Sequence, residues 1–154
     1  MEQVFNEIKK LLDLNKITYK VYDHEPTPTS KDAARVRGTK EEQGAKAIIL
    51  RSEGQFFLCV LPGNERIDLK KLRLIITKKS LSLATKEEVL KVTNCVPGEV
   101  PPFGNIFKIK TLVDKSLLRN EEIAFNAGLM TKSIVMKTQD FLKIVNPIIE
   151  EFIE

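Results

Sequence analysis

The stretch AKAIILRSEGQFFLCVLP, residues 45–62, decides how this chain folds. Residues 46–51 and 56–61 both carry strand-forming patterns, and Ser52-Glu53-Gly54-Gln55 reads as a four-residue connection that closes them into a hairpin. The second strand is apolar on both faces, which places the hairpin inside a covered sheet or barrel. Strand periodicity sets Lys46 on the face of Ile48 and Leu50, uncrowded between Ala45 and Ala47, at the end of the sheet shared by Leu61 and Pro62. At the mouth of an apolar cavity such a lysine is a compact phosphate ligand; elsewhere it is a strand-end side chain snorkelling to solvent.

Before the hairpin, Val4, Phe5, Ile8, Leu11 and Leu12 fall at helical spacing and predict a helix over about 2–14. A strand over 17–22 follows, broken by the proline-held segment 23–29. Ser30 caps a short helix through Val36, stopped by Gly38, and Thr39-Lys40-Glu41-Glu42 fits a capping box for a further helical turn. Past the hairpin, Ile67, Leu69, Leu72 and Leu74 suggest a helix lying over the sheet. Thr85 to Glu88 form a second capping box, opening a helix to about Val92. Strand-like segments lie near 107–113, 117–118, 122–126 and 133–136. A last helix is expected to run from a Thr138 cap to Phe152, kinked at Pro147. Strands and helices alternate without a regular βαβ rhythm. That pattern predicts one mixed α/β domain over residues 1–154, with a barrel-like sheet surrounded by helices.

The 154 residues suffice for a core without staples. Two cysteines and one histidine rule out the usual four-ligand zinc sets, so no metal or cofactor is expected and the thiols are read as reduced. No basic segment followed by an apolar one opens the chain, and no apolar run approaches the roughly 20 residues that span a bilayer. A cytoplasmic protein without a membrane partner is the expectation. A net charge of +4 permits a polyanionic partner. Lys70, Lys71, Arg73, Lys78 and Lys79 gather the basic residues mid-chain, while Glu150, Glu151 and Glu154 make the C-terminus acidic.

PGEVPPFG, residues 97–104, holds three prolines and two glycines, which forbid a regular helix or a central strand. A stiff loop remains, and the amides of Gly98, Glu99, Val100, Phe103 and Gly104 become preset donors of the kind an oxyanion requires. Read locally, the same composition also describes a rigid connector. His24 is the one side chain suited to acid-base work near neutral pH, though no serine or cysteine nucleophile accompanies it. Asn126-Ala127-Gly128 follows a strand and sets an amide beside it.

Taken in order, His24-Glu25-Pro26, the segment around Lys46, Gly98 to Gly104, and Phe125 to Gly128 resemble the YbaK/prolyl-tRNA-synthetase-associated editing domain across nearly the whole chain. The resemblance implies a free-standing deacylase that hydrolyses the ester of a misacylated tRNA, typically tRNA for proline carrying a wrong small amino acid. Lys46 matches the family's essential lysine, which holds a phosphate near the terminal adenosine. Gly98 and Pro102 match its Gly-x-x-x-Pro loop around the aminoacyl group, which brings Glu99, Val100, Pro101 and Phe103 into substrate binding with His24. Asn126 and Gly128 match its small-residue turn. Some relatives carry a histidine just after that turn, where Leu129 stands here.

An aminoacyl ester is already activated, so orientation, an oxyanion site and a water suffice; the resemblance implies that a ribose hydroxyl of the substrate helps position that water. The absence of a triad is compatible with such chemistry. Two other functions fit the same residues. One is a tRNA-binding or synthetase-associating module without catalysis, its affinity carried by Lys70 to Lys79; the other is a hydrolase of small acyl esters that ignores RNA.

Overall fold

The computed structural model describes residues 2–154, and its hairpin comprises β2 (Ala45–Ser52) and β3 (Gln55–Pro62). Pairing continues to Ser52 opposite Gln55, so the connection is the two-residue turn Glu53-Gly54 rather than the four residues expected. Both turn residues have positive φ, 52° and 80°, the backbone that matches the twist of paired strands. Lys46 pairs with Leu61 and Ala45 with Pro62, as the alternation requires.

Five strands form the larger sheet in the order β4-β2-β3-β5-β8, where β4 is Ser82–Leu83, β5 Lys110–Asp114 and β8 Ile148–Glu150. β2 pairs antiparallel with β3 and β4, whereas β3–β5 and β5–β8 are parallel. A three-stranded antiparallel sheet, β1-β7-β6, is built from β1 (Tyr19–Asp23), β6 (Glu122–Leu129) and β7 (Lys132–Lys137). The sheets meet through one bridge, Gly44 to Ala124. They do not close into the barrel expected from the sequence, because β4, β8 and β1 each end a sheet with no strand on the outer side.

Two apolar clusters explain why β3 is hydrophobic on both faces. Ile49, Leu58 and Val60 face α1 (Gln3–Leu14) and the smaller sheet, whereas Leu50, Phe57, Cys59 and Leu61 face α3 (Leu69–Ile75) through Leu72. Helix α2 (Ser30–Arg37) is capped by Thr29, whose Oγ1 accepts from the Asp32 amide at 3.1 Å, and ends on Gly38 at φ 69°. The cap lies one residue earlier than expected. In the following turn over Glu41–Gln43, Gln43 rather than Glu42 reaches back, its Oε1 accepting from the Lys40 amide. Thr85 and Glu88 make the predicted reciprocal box on α4 (Lys86–Thr93).

Two further segments differ from the sequence pattern. Residues 117–118 lie in a 3-10 turn, because the Asp114 carboxylate accepts from the Ser116 amide and curls the chain after β5. The last helix, α6 (Thr138–Val145), stops at Asn146 with φ 48°. Pro147 thus begins an extended segment instead of kinking a helix, and Phe152 joins the second cluster from beyond β8. Thr138 is the first helical residue; its hydroxyl donates to the Asn120 carbonyl at 2.6 Å instead of capping.

Candidate functional site

A cavity of about 210 Å³ opens where the sheets meet, walled by the 27–30 segment, α2, the start of β2, Gly63, the 98–100 loop and β6 with Met130. Lys46 is half-buried at its edge and donates from Nζ to the Gly63 carbonyl at 3.2 Å. Burial pulls its ammonium below the ordinary lysine range, opposed by the Glu41 carboxylate and reinforced by Arg66. No Asp or Glu lines the cavity.

The proline loop is pinned from behind. Phe103 is fully buried, edge-on to Phe125 at 5.3 Å and to Phe141 at 5.5 Å, which ties the loop to β6 and α6. Pro101 and Pro102 are buried with it, outside the cavity wall, so they shape the loop without reaching the space it encloses. Of the five amides expected as donors, Glu99 donates to the Val96 carbonyl and Phe103 to that of Pro101. Gly104 opens the short helix α5 (Gly104–Phe107) and packs on Ile109 and Thr111. Gly98 and Val100 are the two loop residues on the cavity wall, and among the described residues neither amide meets a protein acceptor.

Gly98 has φ 94°, and a Cβ there would stand 2.8 Å from the Met130 Cε. Its carbonyl accepts from Asn126 Nδ2 at 2.7 Å, so the Asn126 side chain clamps the loop. Glu99 turns away: Oε1 accepts from the Val96 amide at 3.0 Å and its carbonyl from the Gly128 amide at 3.0 Å. Gly128, at φ 88°, abuts Val4 and Phe5 of α1 and lies off the cavity. Beside it, β6 bulges between Asn126 and Leu129, which turns Asn126 toward the loop.

His24 stands behind this wall. Nδ1 lies 2.8 Å from the Glu25 carbonyl, which only accepts, so this nitrogen donates. Nε2 shares a hydrogen bond of 2.7 Å with the Ser133 hydroxyl. Ser133 Oγ also accepts from Arg37 Nε at 2.8 Å, and Arg37 Nη2 donates to Asn126 Oδ1 at 3.0 Å. His24, Ser133, Arg37, Asn126 and Gly98 thereby form one chain of hydrogen bonds. The sequence pattern had not singled out Arg37 or Ser133. Arg37 is 8% exposed, and burial lowers its pKa to about 10, still well above neutrality, so it remains a cation. Among the described residues the ion pairs are Arg35–Asp32, Arg51–Glu88 and Lys132–Asp23; neither Arg37 nor Lys46 joins one.

The Thr27 hydroxyl, buried in the cavity wall, also lacks a partner. The basic cluster lies on and after α3, away from the cavity, where Lys71 Nζ donates to the Ile153 carbonyl at 3.1 Å. No group of three His, Cys, Asp or Glu among the described residues is arranged to hold a metal, and both cysteines are buried free thiols. No helix is long and apolar enough to cross a membrane.

Two cations, two open loop amides and a clamped carbonyl around a small cavity define a site for an oxygen-rich, partly anionic ligand. Residues 24–144 match the model of the aminoacyl-tRNA editing domain, and the chain belongs to that family. It is 37% identical over 147 residues to the multifunctional Ser/Thr-tRNA deacylase ProXp-y of Escherichia coli strain K12, covering 92% of this chain and 88% of that protein. It is 28% identical to the prolyl-tRNA editing protein ProX of Acetoanaerobium sticklandii, over 87% of this chain and 85% of the other. The crystal structure of hypothetical protein APE2540 shares the fold, with TM-score 0.88 at 21% identity over 96% of this chain and 99% of that one.

Proposed function

We propose that this protein is a trans-acting aminoacyl-tRNA deacylase of the cytoplasm that clears a wrong small amino acid from tRNA, with tRNA for proline as the carrier and a synthetase as a further partner. The observation that carries the reading is the convergence of Lys46, the open amides of Gly98 and Val100, and Asn126 on one small cavity. Its volume lies below the roughly 300–1,000 Å³ of sites for drug-sized ligands, which suits a small acyl group with the nucleoside outside. The kinship to proteins named as a tRNA deacylase and a tRNA editing protein, matched over most of their lengths, supports both the reaction and the trans-acting mode.

In this mechanism Lys46 anchors a phosphate of the acceptor end at the rim. Water bonds to the ester carbon while the carbonyl pair moves onto oxygen, where the loop amides receive it. Collapse restores the carbonyl and expels the ribose oxygen, which takes the water's proton. The products are the free amino acid and tRNA with its terminal hydroxyl. A ribose hydroxyl of the substrate orients the water, so no protein nucleophile is needed.

The decisive experiment offers the purified protein a panel of mischarged tRNAs, with alanine, serine, threonine, cysteine and proline esters, and compares each with spontaneous hydrolysis. Accelerated release of at least one small amino acid is the expected result. Salt-sensitive tRNA binding with background hydrolysis throughout would instead favour the non-catalytic module.

A further inference from the structure

Arg37 carries a charge that the fold does not compensate. It sits at the end of α2, almost entirely buried, with Nε and Nη2 spent on the neutral oxygens of Ser133 and Asn126. No carboxylate pairs with it among the described residues, although burying an unpaired ion costs several kcal/mol. Its third nitrogen, Nη1, makes no hydrogen bond to protein; it lies 3.7 Å from where a Cβ on Gly44 would stand, and Gly44 itself lines the cavity. Arg37 and Gly98 flank the same carboxamide, one on Oδ1 and the other on Nδ2 of Asn126. Arg37, Asn126, Gly98 and Val100 line the same cavity, so a small occupant lies between the guanidinium and the loop. The unpartnered Thr27 hydroxyl in the wall is a second sign that the cavity awaits a polar occupant.

We propose that Arg37 is a catalytic residue of this site, its Nη1 receiving the acyl oxygen of the bound amino acid. Negative charge on that oxygen grows from the neutral ester carbonyl to its maximum in the tetrahedral intermediate, and part of it remains in the carboxylate of the released amino acid, where two oxygens share it. A fixed cation therefore favours the transition state over the ester, which accelerates the reaction, and it also holds the product. No acid lines the cavity to compete with the acyl oxygen for Arg37. The inference rests on the deacylase reading and deepens it.

The test uses Arg37→Gln and Arg37→Lys, with the exposed Arg35→Gln on the same helix as control. On the most rapidly cleaved ester of the panel, Arg37→Gln should lower kcat about 100-fold with little change in KM, and Arg37→Lys should recover part of the loss. Arg35→Gln should behave as wild type. Thermal unfolding of each variant separates loss of the cation from loss of the fold. A binding arm does not depend on turnover: free L-alanine, but not L-alaninamide, should shift the Gly98 amide in an NMR titration of wild type, and neither should do so in Arg37→Gln. A folded Arg37→Gln that keeps kcat within about threefold of wild type would overturn the proposal. So would a wild-type Gly98 amide that ignores alanine, or responds equally to alaninamide. If wild type cleaves no ester yet shows the Arg37-dependent carboxylate shift, the deacylase reading falls and the cation assignment stands.

Discussion

Rim and floor of the cavity each hold one cation, and they are built in opposite ways. Lys46, at the rim, is half-exposed on a strand end and makes a single contact, with the Gly63 carbonyl, that a phosphate can replace. Arg37, on the floor, is buried and locked by two hydrogen bonds to groups 96 and 89 residues away in sequence. A flexible cation outside suits capture of a mobile RNA end, whereas a rigid one inside suits a reaction whose charge appears at a fixed point. Substitutions should affect the two differently.

The largest effect is expected at the rim. Lys46→Ala should lower kcat/KM for a mischarged tRNA about 100- to 1,000-fold while leaving the unfolding temperature near that of wild type, because only a half-buried strand-end charge is removed. Full activity in this variant would break the assignment of Lys46. Next comes the clamp between floor and loop. Asn126→Ala removes the acceptor for Arg37 Nη2 and the donor to the Gly98 carbonyl, so both stability and kcat should fall, stability by about 1–3 kcal/mol. Chemical denaturation alongside single-turnover hydrolysis would measure both, and an unchanged kcat would uncouple loop from floor.

Gly98→Ala should cost about 1–2 kcal/mol, since its φ of 94° is unfavourable for an L side chain and the new methyl group would displace Met130. Met130→Ala in the same chain should relieve the contact but not the backbone strain. A further effect, confined to alkaline pH, belongs to the core. Burial pushes the Cys95 thiol up to about 11 and that of Cys59 to about 12, so the folded state retains protons that the unfolded chain releases near pH 8.5. Stability is then fully present below about pH 8.5 and declines as pH rises toward 11–12, and Cys95→Ala should flatten that decline in denaturation curves measured from pH 8 to 11.

The rim was legible in the sequence and the floor was not, for a physical reason. Lys46 interrupts an apolar strand, and that alone singles it out. Arg37 ends a short polar helix where a basic residue also suits the helix dipole, and nothing nearby hints at partners on β6 and β7. Glu99 and His24 show the converse. The resemblance brought both into substrate binding, and in the fold the Glu99 carboxylate accepts from the Val96 amide while His24 lies against Ser133. At the C-terminus, apolar spacing continued a helix on paper that the left-handed Asn146 and the missing amide of Pro147 end in the fold. The sheet's failure to close was equally silent, since edges depend on which strands find neighbours.

The triangle of Phe103, Phe125 and Phe141 also has a kinetic side. The loop it pins is local in sequence, but its anchors arrive 22 and 38 residues later, one on β6 and the other on α6. Contacts between distant residues form late in folding, because the intervening chain must first be closed. The cavity wall formed by this loop should therefore be among the last parts of the molecule to order, and during synthesis it has no support from behind until Phe141 has been added.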